Sequence, residues 1–124
     1  MKALLVEDNA LIRRVAGAML EKLGYDAEYA EDGAQAVEKC AGTLYDVVLM
    51  DMHMPVMDGD EAGKRIRGLP SPHGEVPIIA VTATDNEDER AKTAESGMNA
   101  FLMKPFTQET LAEALAALTR DGDA

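Results

Sequence analysis

The chain has 124 residues, enough for one domain that buries roughly two-thirds of the surface its unfolded form would expose. Twelve basic against 23 acidic residues give a formal net charge of −11, which repels a phosphate backbone, argues against direct nucleic-acid binding and favours a basic partner surface. One cysteine excludes an internal disulfide, and no apolar run is long enough to span a bilayer. The start, MKALLVEDN, meets two acids before a signal-peptide apolar region of about 7 to 15 residues could develop, so a cytoplasmic, reducing location is expected.

Ala3 to Val6 is the first apolar run short enough for a strand, and it stops at Glu7 and Asp8. A helix follows from about Asn9 to Leu23, with Leu11, Ile12, Val15, Ala16, Met19, Leu20 and Leu23 at three- and four-residue spacing and Gly24 as its stop. Weaker alternation over Asp26 to Ala30 predicts a second strand. A helix near Gln35 to Cys40 comes next, in which Cys40 reads as a small buried hydrophobe.

Val47 to Met50 is the third strand, ending at Asp51, and a helix over Asp60 to Arg67 follows. GLPSPHGEVP, residues 68 to 77, holds three prolines and two glycines and reads as a surface loop. The fourth strand, Ile78 to Val81, ends at Thr82. The helix after it, Glu87 to Ser96, is rich in charge and poor in apolar residues, so burial should hold it weakly and leave it free to move. Ala100 to Met103 is the fifth strand, ending at Lys104, and Gln108 to Leu118 is the last helix. One domain over residues 1–119, with a short tail over 120–124, is expected.

Near-continuous apolar strands separated by helices imply a parallel sheet covered on both faces. The expected fold is therefore α/β, a doubly wound, flavodoxin-like sheet of five strands. In such a sheet the strands' carboxyl ends share one edge, where ligands bind. Glu7, Asp8, Asp51, Thr82 and Lys104 all fall on that edge. Carboxylates about 5 Å apart repel by roughly 3 kcal/mol per pair at an effective dielectric near 20, so a positive group belongs among them. Lys104 supplies one charge. An oxygen-only donor set suits Mg²⁺ that keeps several waters, and no His or Cys pair at metal spacing offers zinc instead. A cation, a lysine and a hydroxyl around a remaining carboxylate describe phosphoryl transfer with Asp51 as nucleophile.

With LLVEDN at the first strand, VVLMDMHMPVMDG at the third, PIIAVTA at the fourth and AFLMKPF at the fifth, the chain resembles the receiver domain of two-component response regulators, the chemotaxis regulator being its single-domain form. The likeness covers residues 2 to about 119 and implies a strand order of 2-1-3-4-5. It implies that Asp51 accepts a phosphoryl group from a histidine kinase or histidine phosphotransfer protein. Asp8 would ligate Mg²⁺ directly, Glu7 largely through water, and His53 by its backbone carbonyl. Lys104 would pair with Asp51 and then with the phosphoryl oxygens, Thr82 would turn its hydroxyl toward them, and the backbone amides of Met52 and Ala83 would complete the cradle. Phe101 resembles the family's switch aromatic, which turns inward when Thr82 moves, and Lys104-Pro105 its cis peptide. A downstream protein target and a monomer, or a dimer formed on phosphorylation, are the implied outputs.

Several readings stay open in the sequence. Protonated His53 would interact with the acyl phosphate and make its lifetime pH-dependent between about pH 6 and 8, or the residue is exposed and lends only its carbonyl. Met50, Met52, Met54 and Met57 are either gap fillers under a loop or an adaptable partner surface. The chain is a stand-alone regulator or a receiver from a hybrid kinase or larger regulator. An aspartate-nucleophile phosphatase would need a second aspartate where His53 stands. A flavin binder would need hydroxyls and free amides where Glu7 and Asp8 stand. A receiver that is never phosphorylated would be expected to lack the acceptor, the acids or the lysine, all of which are present.

Overall fold

The computed structural model of the chain describes residues 1–53, 57–83 and 86–123, the last five of these by backbone alone. Five strands alternate with five helices: β1 Lys2–Val6, α1 Ala10–Lys22, β2 Asp26–Ala30, α2 Gly33–Gly42, β3 Val47–Asp51, α3 Gly59–Arg67, β4 Ile78–Thr82, α4 Glu87–Glu95, β5 Ala100–Met103 and α5 Gln108–Asp123. The strands form one parallel sheet in the order β2-β1-β3-β4-β5, as the resemblance implies. Among the described residues no helix is long and apolar enough to cross a membrane.

β1, β3 and β4 are apolar at nearly every position because both faces of the sheet are covered there, whereas the edge strand β2, DAEYA, is only partly buried. Successive side chains point to opposite faces. Leu4, Val6, Val48, Met50 and Ile78 pack against Ala36 and Cys40 of α2 and Ala62 and Ile66 of α3. Ala3, Leu5, Val47, Leu49, Ile79 and Val81 pack against Ala16 and Leu20 of α1 and Leu111 and Leu115 of α5. Cys40 is buried, as its place in the pattern predicts, and burial pushes its thiol pKa up to about 11. Of the four clustered methionines, Met50 and Met52 are buried and Met57 packs against the core, which makes them fillers; Met54 lies outside the described residues.

Local chemistry fixes the helix starts. The side chains of Asn9, Asp32, Asp58 and Asn86 each accept from amides of the first turn that follows, a cap that contributes about 1 kcal/mol. The Asp32 cap starts α2 at Gly33, two residues ahead of the expected start near Gln35. The backbone of α5 continues to Asp123, past Leu118 where its apolar pattern ends. The proline-rich loop contains a 3-10 turn at His73–Glu75 and a second cis peptide, Ser71-Pro72.

The end of the sheet away from the candidate site is tied by Arg67. Its guanidinium donates to the carbonyls of Gly97 (2.8 Å), Gly74 (2.9 Å) and Val76 (2.7 Å) and to Asn99 Oδ1 (2.8 Å). One side chain thus joins the end of α3, the loop before β4 and the turn between α4 and β5. Gly97 sits in that turn at φ +76°, where a side chain is disfavoured, and an added Cβ would also meet Arg67 Cγ at 3.0 Å.

Candidate functional site

The ladder sets the site. Val6 pairs with Met50 and Asp51 with Val81, so Glu7, one step past the end of β1, comes beside Asp51 at the end of β3. Thr82 ends β4 fully buried, and its carbonyl accepts the backbone N–H of Lys104 at 2.8 Å, which draws the residue after β5 to the same edge. The edge therefore gathers the five residues that the strand ends predict.

Glu7 and Asp51 are each only 4% exposed. Lys104 Nζ bridges them, 3.0 Å from Glu7 Oε1 and 3.1 Å from Asp51 Oδ2. Burial by itself lowers the lysine's pKa, but hydrogen bonds and charge from Glu7 and Asp51 outweigh it, so the ammonium is held above its ordinary value. Asp8 is exposed at the mouth, and one carboxylate oxygen from each of Glu7, Asp8 and Asp51 lies within 4.8 Å of the others. The set consists of hard oxygen donors, open to solvent on the Asp8 side. It fits a divalent cation such as Mg²⁺ that retains part of its water.

One expected contact differs. The Met52 amide does not face the Asp51 carboxylate: the β3–β4 ladder runs one residue past Asp51, and Met52 N–H donates to Val81 O at 3.0 Å. The next amide does, because the chain leaves the sheet there and His53 N–H donates to Asp51 Oδ1 at 3.0 Å. Ala83 is exposed beside Lys104 on the rim of the same groove. Gly59, at the start of α3, lies against the backbone of Asp51: an added Cβ would collide with Asp51 O and stand 2.8 Å from Met52 Cα.

Other contacts have no sequence signal. The His53 ring is largely exposed, and its Nε2 lies 2.7 Å from Oε1 of Glu89, a buried carboxylate in the first turn of α4. The imidazole thus engages α4 in this arrangement. Phe101 is half-buried, and the Arg90 guanidinium stacks 4.7 Å from the centre of its ring. The Lys104-Pro105 peptide is cis, as the resemblance implies.

Two buried carboxylates bridged by an ammonium, with a buried hydroxyl residue and a third acid at the mouth, can neutralise a transferring phosphoryl group while leaving a carboxylate oxygen to attack it. The comparisons with known proteins agree with that chemistry. A family model described as the response regulator receiver domain matches residues 3–116. The receiver domain of a Pseudomonas aeruginosa sensor histidine kinase, solved with a magnesium ion coordinated in its active-site cleft, superposes with a TM-score of 0.86 at 40% identity over 94% of both chains. A Vibrio cholerae chemotaxis protein superposes at 0.85 with 33% identity over 96% of both chains. Among curated relatives, the transcriptional regulatory protein QseB of Haemophilus influenzae is 37% identical over 97% of this chain and 53% of its own length. The sensor histidine kinase RcsC of Salmonella typhimurium is 37% identical over 94% of this chain and 12% of its own. The chain thus spans about half or less of these curated relatives.

Proposed function

The chain belongs to the response regulator receiver family, whose general function is phosphoryl acceptance, and we propose that here Asp51 is the acceptor and Lys104, Thr82, Glu7 and Asp8 are its machinery. The observation that carries this reading is the Lys104 bridge between the two buried carboxylates.

In the proposed reaction an Asp51 oxygen forms a bond to the phosphorus of a phosphohistidine while the phosphorus–nitrogen bond breaks and its electron pair returns to the donor's imidazole. Lys104 Nζ, already 3.1 Å from Asp51, neutralises charge on the transferring oxygens, and the His53 amide holds the carboxylate's orientation. The Thr82 hydroxyl and the Ala83 amide close on the new phosphoryl group. Glu7, Asp8, Asp51 and the His53 carbonyl would hold Mg²⁺, which supplies further neutralisation when bound. This cation site accords with the magnesium held by the Pseudomonas receiver and with the three clustered acids.

Phosphorylation then biases a two-state equilibrium, with partners telling the states apart by differential affinity. Thr82 and Phe101 are the proposed moving pair, and the face of α4, β5 and α5 the surface that changes partners. The donor is a histidine kinase or histidine phosphotransfer protein. A groove of about 500 Å³ beside Lys104, lined by Leu11, Ile12 and Val15 of α1 with Pro105 and Phe106, offers apolar surface to it. Leu11 is 69% exposed and Val15 49%, surface that a soluble face leaves open for a partner. The family match favours this reading over the phosphatase and the flavin binder.

The test is intact mass after incubation with acetyl phosphate, with and without Mg²⁺, for the wild type and Asp51→Asn. A Mg²⁺-dependent gain of one phosphoryl group that the variant lacks is expected. An unmodified wild type that releases no phosphate would overturn the mechanism. Ile12→Asp should slow transfer from a phosphohistidine protein and leave the acetyl phosphate rate unchanged.

A further inference from the structure

The turn after β1 carries two of the three site acids, and they are held very differently. Glu7 is gripped from several sides: its N–H donates to Ala30 O (3.0 Å), Oε1 accepts from Lys104 (3.0 Å) and Oε2 from the Asn9 amide (3.3 Å). Asp8 has an exposed side chain, so its aim depends on its backbone. Arg13, in the second turn of α1, reaches back to that backbone. Its Nη1 donates to Glu7 O at 2.9 Å and to Asp8 O at 3.4 Å, while Nη2 lies 4.0 Å from Oε1 of Glu31 at the end of β2. The arginine side chain is only 20% exposed, unlike a freely solvated surface arginine.

We infer that Arg13 is a positioning residue for the cation site, fixing the two peptide carbonyls that aim Asp8 at Glu7 and Asp51. Two carbonyls held by one guanidinium nitrogen leave the turn little freedom about Asp8. Without that brace, the exposed carboxylate samples directions away from the other two acids, and each binding event must first order it. The inference rests on the assignment of Glu7 and Asp8 to the cation.

Charge and position predict opposite signs here, which makes the idea testable. Removing a cation from the turn that carries Glu7 and Asp8 would, by charge alone, tighten the binding of a dication. Removing the brace weakens it. Residues that orient metal ligands without touching the metal typically cost 10–100-fold in affinity when lost.

Mg²⁺ affinity is measured by titration calorimetry on the wild type, Arg13→Ala, Arg13→Lys and Arg14→Ala, an exposed neighbour of the same charge. Arg13→Ala is expected to bind about tenfold more weakly. Arg13→Lys should fall between it and the wild type, since a lysine offers a point charge rather than a fork that spans both carbonyls and Glu31. Arg14→Ala should match the wild type or bind slightly tighter. At saturating Mg²⁺ the acetyl phosphate rate of Arg13→Ala should return close to the wild-type value, so that the loss lies in the Mg²⁺ requirement and not in the maximal rate. Equal or tighter Mg²⁺ binding by Arg13→Ala overturns the inference. Absence of Mg²⁺ binding by the wild type instead overturns the cation assignment and the inference with it. Should Arg13→Ala fail to melt cooperatively in EDTA, Arg13→Gln, which keeps a neutral donor of shorter reach, carries the same test in the same direction.

Discussion

Replacing Lys104 by Met keeps the length of the side chain and deletes its charge, so what changes is the electrostatics of two buried acids. The Glu7 and Asp51 oxygens lie within 4.8 Å of each other, a separation at which two unit charges repel by about 3.5 kcal/mol at an effective dielectric near 20. Breaking a buried ion pair by removing one member costs about 3–5 kcal/mol, and Lys104 is 23% exposed, so the lower part of that range applies. A loss of about 3 kcal/mol, against an unfolding entropy of roughly 2.1 cal/mol/K per residue, lowers Tm by about 10 °C. A dication between the acids replaces the missing charge. Calorimetric melting in EDTA and in 10 mM Mg²⁺ separates the two effects: the variant should melt lower than the wild type in EDTA and gain more from about 10 mM Mg²⁺, in proportion to the ligand it binds only when folded. Equal Tm values in EDTA, or an equal Mg²⁺ increment in both proteins, would refute the view that Lys104 neutralises these acids.

Gly59→Ala drives a methyl group into the backbone of Asp51 and Met52, so we expect a loss of about 1–3 kcal/mol in urea unfolding together with slower phosphorylation from acetyl phosphate. Arg67→Ala strips donors from the part-buried carbonyls of Gly74 and Val76 at the other end of the sheet. It should cost about 2–4 kcal/mol while leaving the phosphorylation rate intact, and Arg67→Lys should recover only a minor share. Tyr45 donates to Glu28 Oε1 at 2.9 Å, and burial, with Glu28 adding to it, pushes its pKa up to about 12. The unfolded phenol ionises near 10, so the contribution is complete below about pH 10 and is lost as the pH rises from there toward 12. Urea midpoints between about pH 9 and 11 should fall for the wild type and flatten in Tyr45→Phe.

The strands that carry the site were legible because a parallel strand covered on both sides is apolar along nearly its whole length, and the residue that ends such a run stands out. That is why the apolar pattern alone places the acids, Thr82 and Lys104 on one edge. The start of α2 was less legible: the helix was expected near Gln35, and the Asp32 side chain capping Gln35 sets the boundary at Gly33. That the His53 amide, not that of Met52, meets Asp51 turned on a single residue of ladder, finer than an apolar pattern resolves. The contacts of Arg13, His53 with Glu89, and Arg90 with Phe101 were invisible for another reason. A charged residue on a helix reads the same in sequence whether it is solvated or spans two elements.

Among the described residues, neither apolar core includes a residue of α4. What that helix buries is polar: Glu89, which faces His53, and Thr93, which donates to Glu89 O at 2.8 Å, with Ser96 just past its end donating to Lys92 O at 2.8 Å and contacting Asp60. Its outward residues therefore contribute little to whether the chain folds. Exposed substitutions away from packed or bonded groups generally stay within about 0.5 kcal/mol of neutral. Over generations, α4 can then collect changes that would be purged from α1 or α3. A duplicated copy of this gene could acquire a new partner by drift on that face while inheriting its folding and its acceptor chemistry unaltered.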